Sequence, residues 1–553
     1  MSLPAPSTAF DRLAAELAAD ELAAEPVHAS ALGLTEHDHR LPDLSAQAIA
    51  ERERAEDRWS ARFAALPDEE LAADERIDRD LVLMVLRGRR VMRDWADWRR
   101  SADTYAGTAL HGVFVLLLNR LRPEAELAAA VAARLRATPA LLEQGAANLD
   151  PELASPELLR RALGQVAAGA AYAGTLAAQF EPDAGREEVA QAGEVAAQAF
   201  ERFGAVVEDL AGRARGAWAI GEERYDGLLR LAEGLSYGTR ELRERGRAAY
   251  AELLADIRGR TRALRGGDGS DWRQLLEELN QDRPDSPEEM LALYRRATSA
   301  ARQFCVDREL VTLPPGEQCA VVPSAPFTRP MVAVAHYQPP PPFGSSGVGH
   351  FFVPYPPDGA SPEEVAQRLA TNNRHGLWSI TTHEAYPGHH WHLAHLAAGA
   401  GTAQARPGAR VLRTLFSSTY FTEGWGLYSE DLMREQGFFA TPEQELCQCD
   451  YRLFRAARIV VDTSLHLGEM TVEQAVEHLT THTSLTPGTA RAEVLRYCAR
   501  PTQASSYLTG ALEIARMRDR WLAEGRGSLR AFHDAAAGSG TLPVALVERS
   551  LFA

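Results

Sequence analysis

The sequence predicts a mainly α-helical protein with a small antiparallel β-sheet next to a histidine-bearing helix. Three observations lead there. From Thr8 to about residue 300 apolar residues recur at one-face helical spacing between rows of Arg and Glu. From Cys305 the texture changes to short runs rich in β-branched and aromatic residues, set between Pro and Gly clusters. Helical spacing then returns around the segment Thr382-His383-Glu384-Ala385-Tyr386-Pro387-Gly388-His389-His390-Trp391-His392. The chain accordingly divides into an N-terminal helical region, 1–300, and a second region, 301–553, that holds the sheet (305–356) and the chemistry.

The elements follow in order. Phe10 to Leu17 has the apolar spacing of one helix face, and long Ala/Leu/Glu/Arg helices are expected over Glu124–Leu142 and Glu187–Leu210. The alanine richness has no fixed period, so it is not a repeat array. Breaks fall at Pro151–Pro156, at Gly266-Gly267-Asp268-Gly269 and at Asp282–Ser286. Ser286-Pro287-Glu288-Glu289 is a helix-start signal: a capping hydroxyl, Pro at the first position and acids in the first turn. Strands are expected at Gln318–Val322, Met331–Tyr337 and Val348–Tyr355. Between the last two, Pro339–Pro342 and Gly344-Ser345-Ser346-Gly347 form a loop placed to cover a cleft, and Pro362–Leu369 is an amphipathic helix leading to the histidine segment.

Charge and composition exclude several functions. The net charge of −17 argues against nucleic acid or an anionic membrane as partner. All 59 basic residues are arginine. Without lysine there is no Schiff base, no pyridoxal phosphate attachment and no phosphate-cradling lysine. No run approaches the ~18 apolar residues of a membrane span, and no signal peptide is visible. Five cysteines, Cys305, Cys319, Cys447, Cys449 and Cys498, form an odd, sparse set that suits reduced thiols and a cytoplasmic location. Cys447-Gln448-Cys449 is too tight for a two-thiol metal clamp and reads as structural.

The histidine segment carries four of the sixteen histidines within ten residues. His-Glu followed by a second His is the skeleton of a zinc hydrolase helix, in which two imidazoles bind the ion and the carboxylate serves as base. Ordinarily the second histidine stands at i+4, but here that position is Pro387. On a regular helix His389 falls roughly 240° around from His383, and His390 lies about 10 Å further along the axis. A regular helix therefore cannot bind one ion through two histidines. Pro387-Gly388 breaks the helix, because Pro lacks a donor and clashes with the preceding turn. A local bulge lets the next histidine swing back, so His389 is the favoured second ligand and His390 the alternative.

A third ligand is sought in Tyr420-Phe421-Thr422-Glu423-Gly424-Trp425-Gly426-Leu427-Tyr428-Ser429-Glu430. An acid among apolar residues is costly to bury unless paired or metal-bound. Glu423 and Glu430 are seven apart and share a helix face, so Glu423 is placed to bind the ion and Glu430 to orient a ligand histidine. Further on, Arg458, Asp462 and His466 stand at four-residue steps, which offers His466 as a donor to a substrate oxygen.

The two motifs His383-Glu384-Ala385-Tyr386-Pro387-Gly388-His389-His390 and Glu423-Gly424-Trp425-Gly426-Leu427-Tyr428-Ser429-Glu430 resemble the domain of unknown function 885 family. The likeness runs over most of the chain and is sharpest from about Tyr337 to Arg518. It implies a large zincin-like helical body, one continuous fold with a central cleft. It also implies Zn2+ held by His383, His389 or His390, and Glu423, with Glu384 as catalytic carboxylate. The family commonly has Gln where His392 stands. Arg500-Pro501-Thr502-Gln503-Ala504-Ser505-Ser506-Tyr507 matches the family pattern too, and there Tyr507 is placed to donate to a tetrahedral intermediate and Arg500 to receive a substrate carboxylate. In zincin-type enzymes a strand beside the metal helix pairs with extended substrate, a task that fits Gly349-His350-Phe351. The expected activity is zinc-dependent hydrolysis of short peptides. The alternatives are an amidase on a small amide-containing metabolite and a non-catalytic helical binding protein.

Overall fold

A computed structural model describes residues 8–325, 328–329, 334–344, 347–399 and 407–552. The protein is mainly helical with one three-stranded sheet. Part of the expected strand from Met331 and part of the Gly344–Gly347 loop lie outside the described residues.

Packing divides the chain into two compact units. The first holds the described residues of Met1–Ile220, with short returns at Pro341–Ser346 and Arg406–Leu415. Its helices Glu124–Asn148, Pro156–Thr175 and Arg186–Arg213 pack through small residues, as their alanine-rich faces require. Two buried arginines are compensated there. Arg413 Nε donates to Asp78 at 2.7 Å, and Arg134 donates to the Ser30 hydroxyl at 2.6 Å and to the carbonyls of Pro26 and His37.

The second unit holds Gly221–Pro340, Gly347–Ala405 and Phe416–Ala553, so the divide in packing falls at Ile220/Gly221. The change of texture near residue 300 is not the packing boundary, because the helix Thr239–Arg265 lies against Pro442–His466 in this unit. Ile257, Trp272, Leu276 and Leu453 form one buried cluster with Cys447 and Cys449. All five cysteines are free thiols. The helix expected from Ser286 runs over Pro287–Asp307, with the Ser286 hydroxyl accepting from Glu289 N–H.

The strands are β1 (Gln318–Pro323), β2 (His336–Gln338) and β3 (Val348–Val353), in the order β1-β3-β2. β2 runs antiparallel to β3, but β1 runs parallel to it, so the sheet is mixed rather than antiparallel. The long excursion between β1 and β3 permits the parallel pairing, which no tight hairpin can make. β3 is thus the central strand, bonded on both sides.

Candidate metal centre

Five helices of the second unit carry the site. The first histidine helix is Leu377–Glu384 and the second is His389–Ala397. The glutamate helix is Thr419–Glu435, the arginine helix Pro442–His466 and the tyrosine helix Gln503–Ala523.

The sequence between the histidine helices makes a compact turn. The first helix closes with Ala385 N–H donating to Thr381 O at 2.8 Å, and the second opens with His392 N–H donating to Gly388 O at 3.0 Å. The Tyr386–Pro387 bond is cis. Gly388 lies directly on the end of the first helix: a Cβ there would stand 1.9 Å from His383 O and 2.3 Å from Thr382 O. Only glycine permits that approach. Trp425 Nε1 pins the turn by donating to Pro387 O at 2.9 Å, and the Trp425 and Trp391 rings stack behind it with centroids 5.5 Å apart. Each buried indole removes roughly 200 Å² from water, about 5 kcal/mol at 25 cal/mol/Å².

The turn brings His389 beside His383, their ring centroids 4.7 Å apart and nearly perpendicular. The glutamate helix supplies the third group. Close crossing sets it there, since a Cβ on Gly510 would fall 1.8 Å from Tyr420 O and one on Gly424 would fall 2.6 Å from Gly510 backbone. Gly426 lies flat against the His383 ring. One ligand atom from each of His383, His389 and Glu423 then falls within 4.8 Å of the others. Glu423 Oε2 is 3.5 Å from His383 Nε2 and 3.6 Å from His389 Nε2. These separations are long for hydrogen bonds. They match the ~3.4 Å expected between two donors each ~2.1 Å from one tetrahedral ion. The N₂O donor set therefore fits zinc.

The surroundings orient the ligands. His383 Nδ1 is 2.9 Å from Glu430 Oε1, and Ser379 donates to the other oxygen of Glu430 at 2.5 Å. With an ion bound, the Nδ1–Glu430 bond would fix the neutral tautomer that leaves the Nε2 lone pair for the ion. Burial alone would lower the His383 pKa, but Glu423 and Glu430 outweigh it and push it up to about 10. Burial would raise Glu423, yet His383 and His389 hold it well below the usual carboxylate range. Without a cation, protons on imidazole balance the carboxylates; a divalent ion supplies the same charge.

Glu384 leaves the end of the first histidine helix half-buried, with Oε2 accepting Tyr337 N–H from β2 at 2.9 Å. Tyr507 is also brought to the cluster. Its ring stacks on His383 at 6.5 Å and 22°, and the Arg458 guanidinium lies 4.8 Å from its centroid. Gln503 Nε2 donates to its hydroxyl at 3.1 Å. Burial first and Glu423 second raise the Tyr507 pKa, so the phenol keeps its proton.

Four sequence expectations are placed elsewhere. His390 has both ring nitrogens committed, Nε2 to Glu317 at 2.8 Å and Nδ1 to the Tyr337 hydroxyl at 3.0 Å, so it is not the second ligand. Neighbouring helical residues point about 100° apart, and only His389 faces Glu423. His466 is fully buried, its Nε2 3.1 Å from Tyr497 O and 3.5 Å from Asp462, beyond reach of any substrate. Arg458 takes Glu493 as partner at 2.8 Å, so of the three residues at four-residue steps only Asp462 and His466 stand together. His350 sits on the central strand, where no free edge is left for a substrate; its ring stacks on Phe352, on the face opposite Phe351 and Tyr337. Arg500 is exposed at the end of the Pro487–Ala499 helix, its guanidinium forming no ion pair among the described residues.

Further contributors take their roles only from the tertiary structure. Tyr337 serves twice, by its backbone to Glu384 and by its hydroxyl to His390. Ser379 stands one turn before His383, a spacing that signals a shared face. His392 is fully buried between Phe421 and Trp425, both its nitrogens lacking partners, and burial pushes its pKa down to about 3, so it is neutral.

Two solved structures share this fold. A candidate lipoprotein of unknown function from Shewanella oneidensis is 21% identical, with TM-score 0.79 over 98% of this chain and 99% of that one. A candidate lipoprotein from Colwellia psychrerythraea is 19% identical, with TM-score 0.81 over 98% of both chains. No curated protein matches the sequence. The profile described as bacterial protein of unknown function (DUF885) matches residues 26–551, and the chain belongs to that family.

Proposed function

We propose that the protein is a zinc-dependent metallopeptidase of zincin-like design that hydrolyses amide bonds of short peptides. The observation that carries this reading is the convergence of His383, His389 and Glu423 within 4.8 Å, with a carboxylate, Glu384, next in sequence to the first ligand. Bound zinc would supply a Lewis acid and make water acidic enough to ionise near neutral pH. The remaining steps belong to the chain. Glu384, anchored through one oxygen by Tyr337 N–H, accepts the proton of the attacking water and returns it to the leaving amine. Tyr507, protonated and held by Gln503, donates to the oxyanion that forms at the carbonyl. A pure binding protein has no need of that base and donor beside a three-ligand cluster.

The test is reconstitution with zinc, metal analysis, and digestion of a short-peptide library read by mass spectrometry. One zinc per chain with peptide cleavage is expected. Cleavage of simple amides but of no peptide would move the reading to a metabolite amidase, and failure to bind zinc would overturn both. A cytoplasmic site of action is supported by the free thiols, whereas the two structural neighbours carry lipoprotein names; cell fractionation distinguishes these locations.

A further inference from the structure

Beside the metal cluster, on the side of Tyr507, lies a cation with no ion-pair partner among the described residues. Arg455 projects from the arginine helix one turn before Ile459, half-buried, its guanidinium carbon 6.0 Å from the Tyr507 ring centroid. Its Nη1 donates to Tyr451 O at 3.1 Å, and its Nε is buried with no hydrogen-bond partner. Asp450 is near enough to feel its charge, but Arg455 forms no ion pair among the described residues. Its neighbours differ. Arg458 is neutralised by Glu493, Arg496 shares that carboxylate, and Arg452 pairs with Asp431. The guanidinium also packs on the rings of Tyr451 and Phe454, at 5.7 and 5.8 Å, but in a chain of net charge −17 a half-buried arginine with no ion pair among the described residues is unusual, since a charge away from bulk water is costly.

We propose that Arg455 binds a carboxylate of the substrate, so that the site selects peptides with an acidic group a few residues from the scissile bond, foremost the free C-terminus. This rests on the peptidase reading above and names its substrate class. Reach supports it. The Tyr507 ring centroid is 6.0 Å from the Arg455 guanidinium carbon and 6.5 Å from the His383 ring centroid, so the two are at most about 12.5 Å apart. Three to four residues of extended peptide, at ~3.3–3.6 Å each, cover such a span. The guanidinium offers planar paired donors that match a carboxylate, and half-burial strengthens that bond relative to one in water. Glu384, Glu423, Tyr507 and Arg455 are all half-buried, so each keeps some exposure through which a substrate could meet it. Exposed Arg500, with no contact to the cluster among the described residues, does not take this part.

Binding tests this without turnover. Zinc-loaded Glu384→Gln protein is titrated by calorimetry with one tripeptide in three forms: free acid, C-terminal amide, and amide with Glu as the last residue. The free acid is expected to bind roughly ten- to hundred-fold tighter than the plain amide. Arg455→Met in the same background should bring the acid-to-amide ratio to about 1, and Arg455→Lys should keep part of the preference. If the Glu-containing amide binds as tightly as the free acid, Arg455 accepts a carboxylate from the terminus or from a side chain, which supports the proposal in its general form. Equal binding of all three forms, or a preference that survives Arg455→Met, overturns the proposal. Preference in binding together with no cleavage by the zinc-loaded wild-type protein would instead overturn the peptidase reading alone.

Discussion

The proposed role of Glu384 makes two demands: the carboxylate must stay close to His383, yet remain free to take a proton. Oε2 accepts Tyr337 N–H at 2.9 Å, and the other oxygen has no partner among the described residues, an arrangement compatible with both. Glu384→Gln keeps the shape and the Tyr337 contact but cannot accept a proton. It is expected to retain one zinc per chain by metal analysis while peptide hydrolysis falls by about 10²–10⁴-fold. Glu430 acts at one remove, through His383 Nδ1. Glu430→Gln should therefore weaken zinc roughly 10–100-fold in competition with a chelator, because the imidazole loses the partner that sets its tautomer. Tyr507→Phe removes a donor and little packing. A kcat loss of about 10²–10³-fold with little change in KM is expected in steady-state kinetics, and equal loss in both would deny it a role at the oxyanion.

The turn between the histidine helices is the element on which ligand geometry depends. Its requirement for glycine is steric: a methyl group on Gly388 meets two carbonyl oxygens at 1.9 and 2.3 Å. Gly388→Ala should displace His389 and abolish stoichiometric zinc binding in the purified, folded protein. Folding is checked by circular dichroism, and a variant that still binds zinc at full affinity would show that the turn tolerates a shift. β2 works differently, as backbone. Tyr337 holds Glu384 by an N–H and not by its side chain, so substitution of Tyr337 leaves that anchor in place. The close crossing of the glutamate and tyrosine helices at Gly424 and Gly510 brings both Glu423 and Tyr507 to His383. A close crossing of this kind transmits helix position directly into ligand position.

Over the whole molecule, stability carries charges buried for structure. Asp450 is buried, accepts from the Ser484 hydroxyl at 2.7 Å, and has its other oxygen unpartnered. Burial raises its pKa to about 6. A carboxyl raised in the folded state favours folding fully only below its unfolded pKa, and that contribution is lost as pH rises through about 6. Asp450→Asn should thus match the wild type near pH 4 and exceed it above pH 7 by ~2–3 kcal/mol in denaturant unfolding. A constant difference between the two proteins from pH 4 to pH 8 would show that Asp450 is not the cause.

The sequence by itself determined what short-range physics controls. Helices long enough to be periodic, the cap at Ser286, the breaks at Pro and Gly, and the pairing of Glu423 with Glu430 on one helix face are all local consequences of residue order. So was the need for a bend at Pro387-Gly388, since a straight helix cannot bring two of these histidines to one ion. Only the tertiary structure decided which histidine the bend presents, because His389 and His390 are adjacent and their choice depends on Glu317 and Tyr337 arriving from the sheet region. The same holds for His466, Arg500 and His350. Their spacing on an element says which face they share, but burial, exposure and strand order depend on what that face meets. Arg455 shows the converse, a residue with no sequence mark whose proposed role follows from its having no ion-pair partner among the described residues.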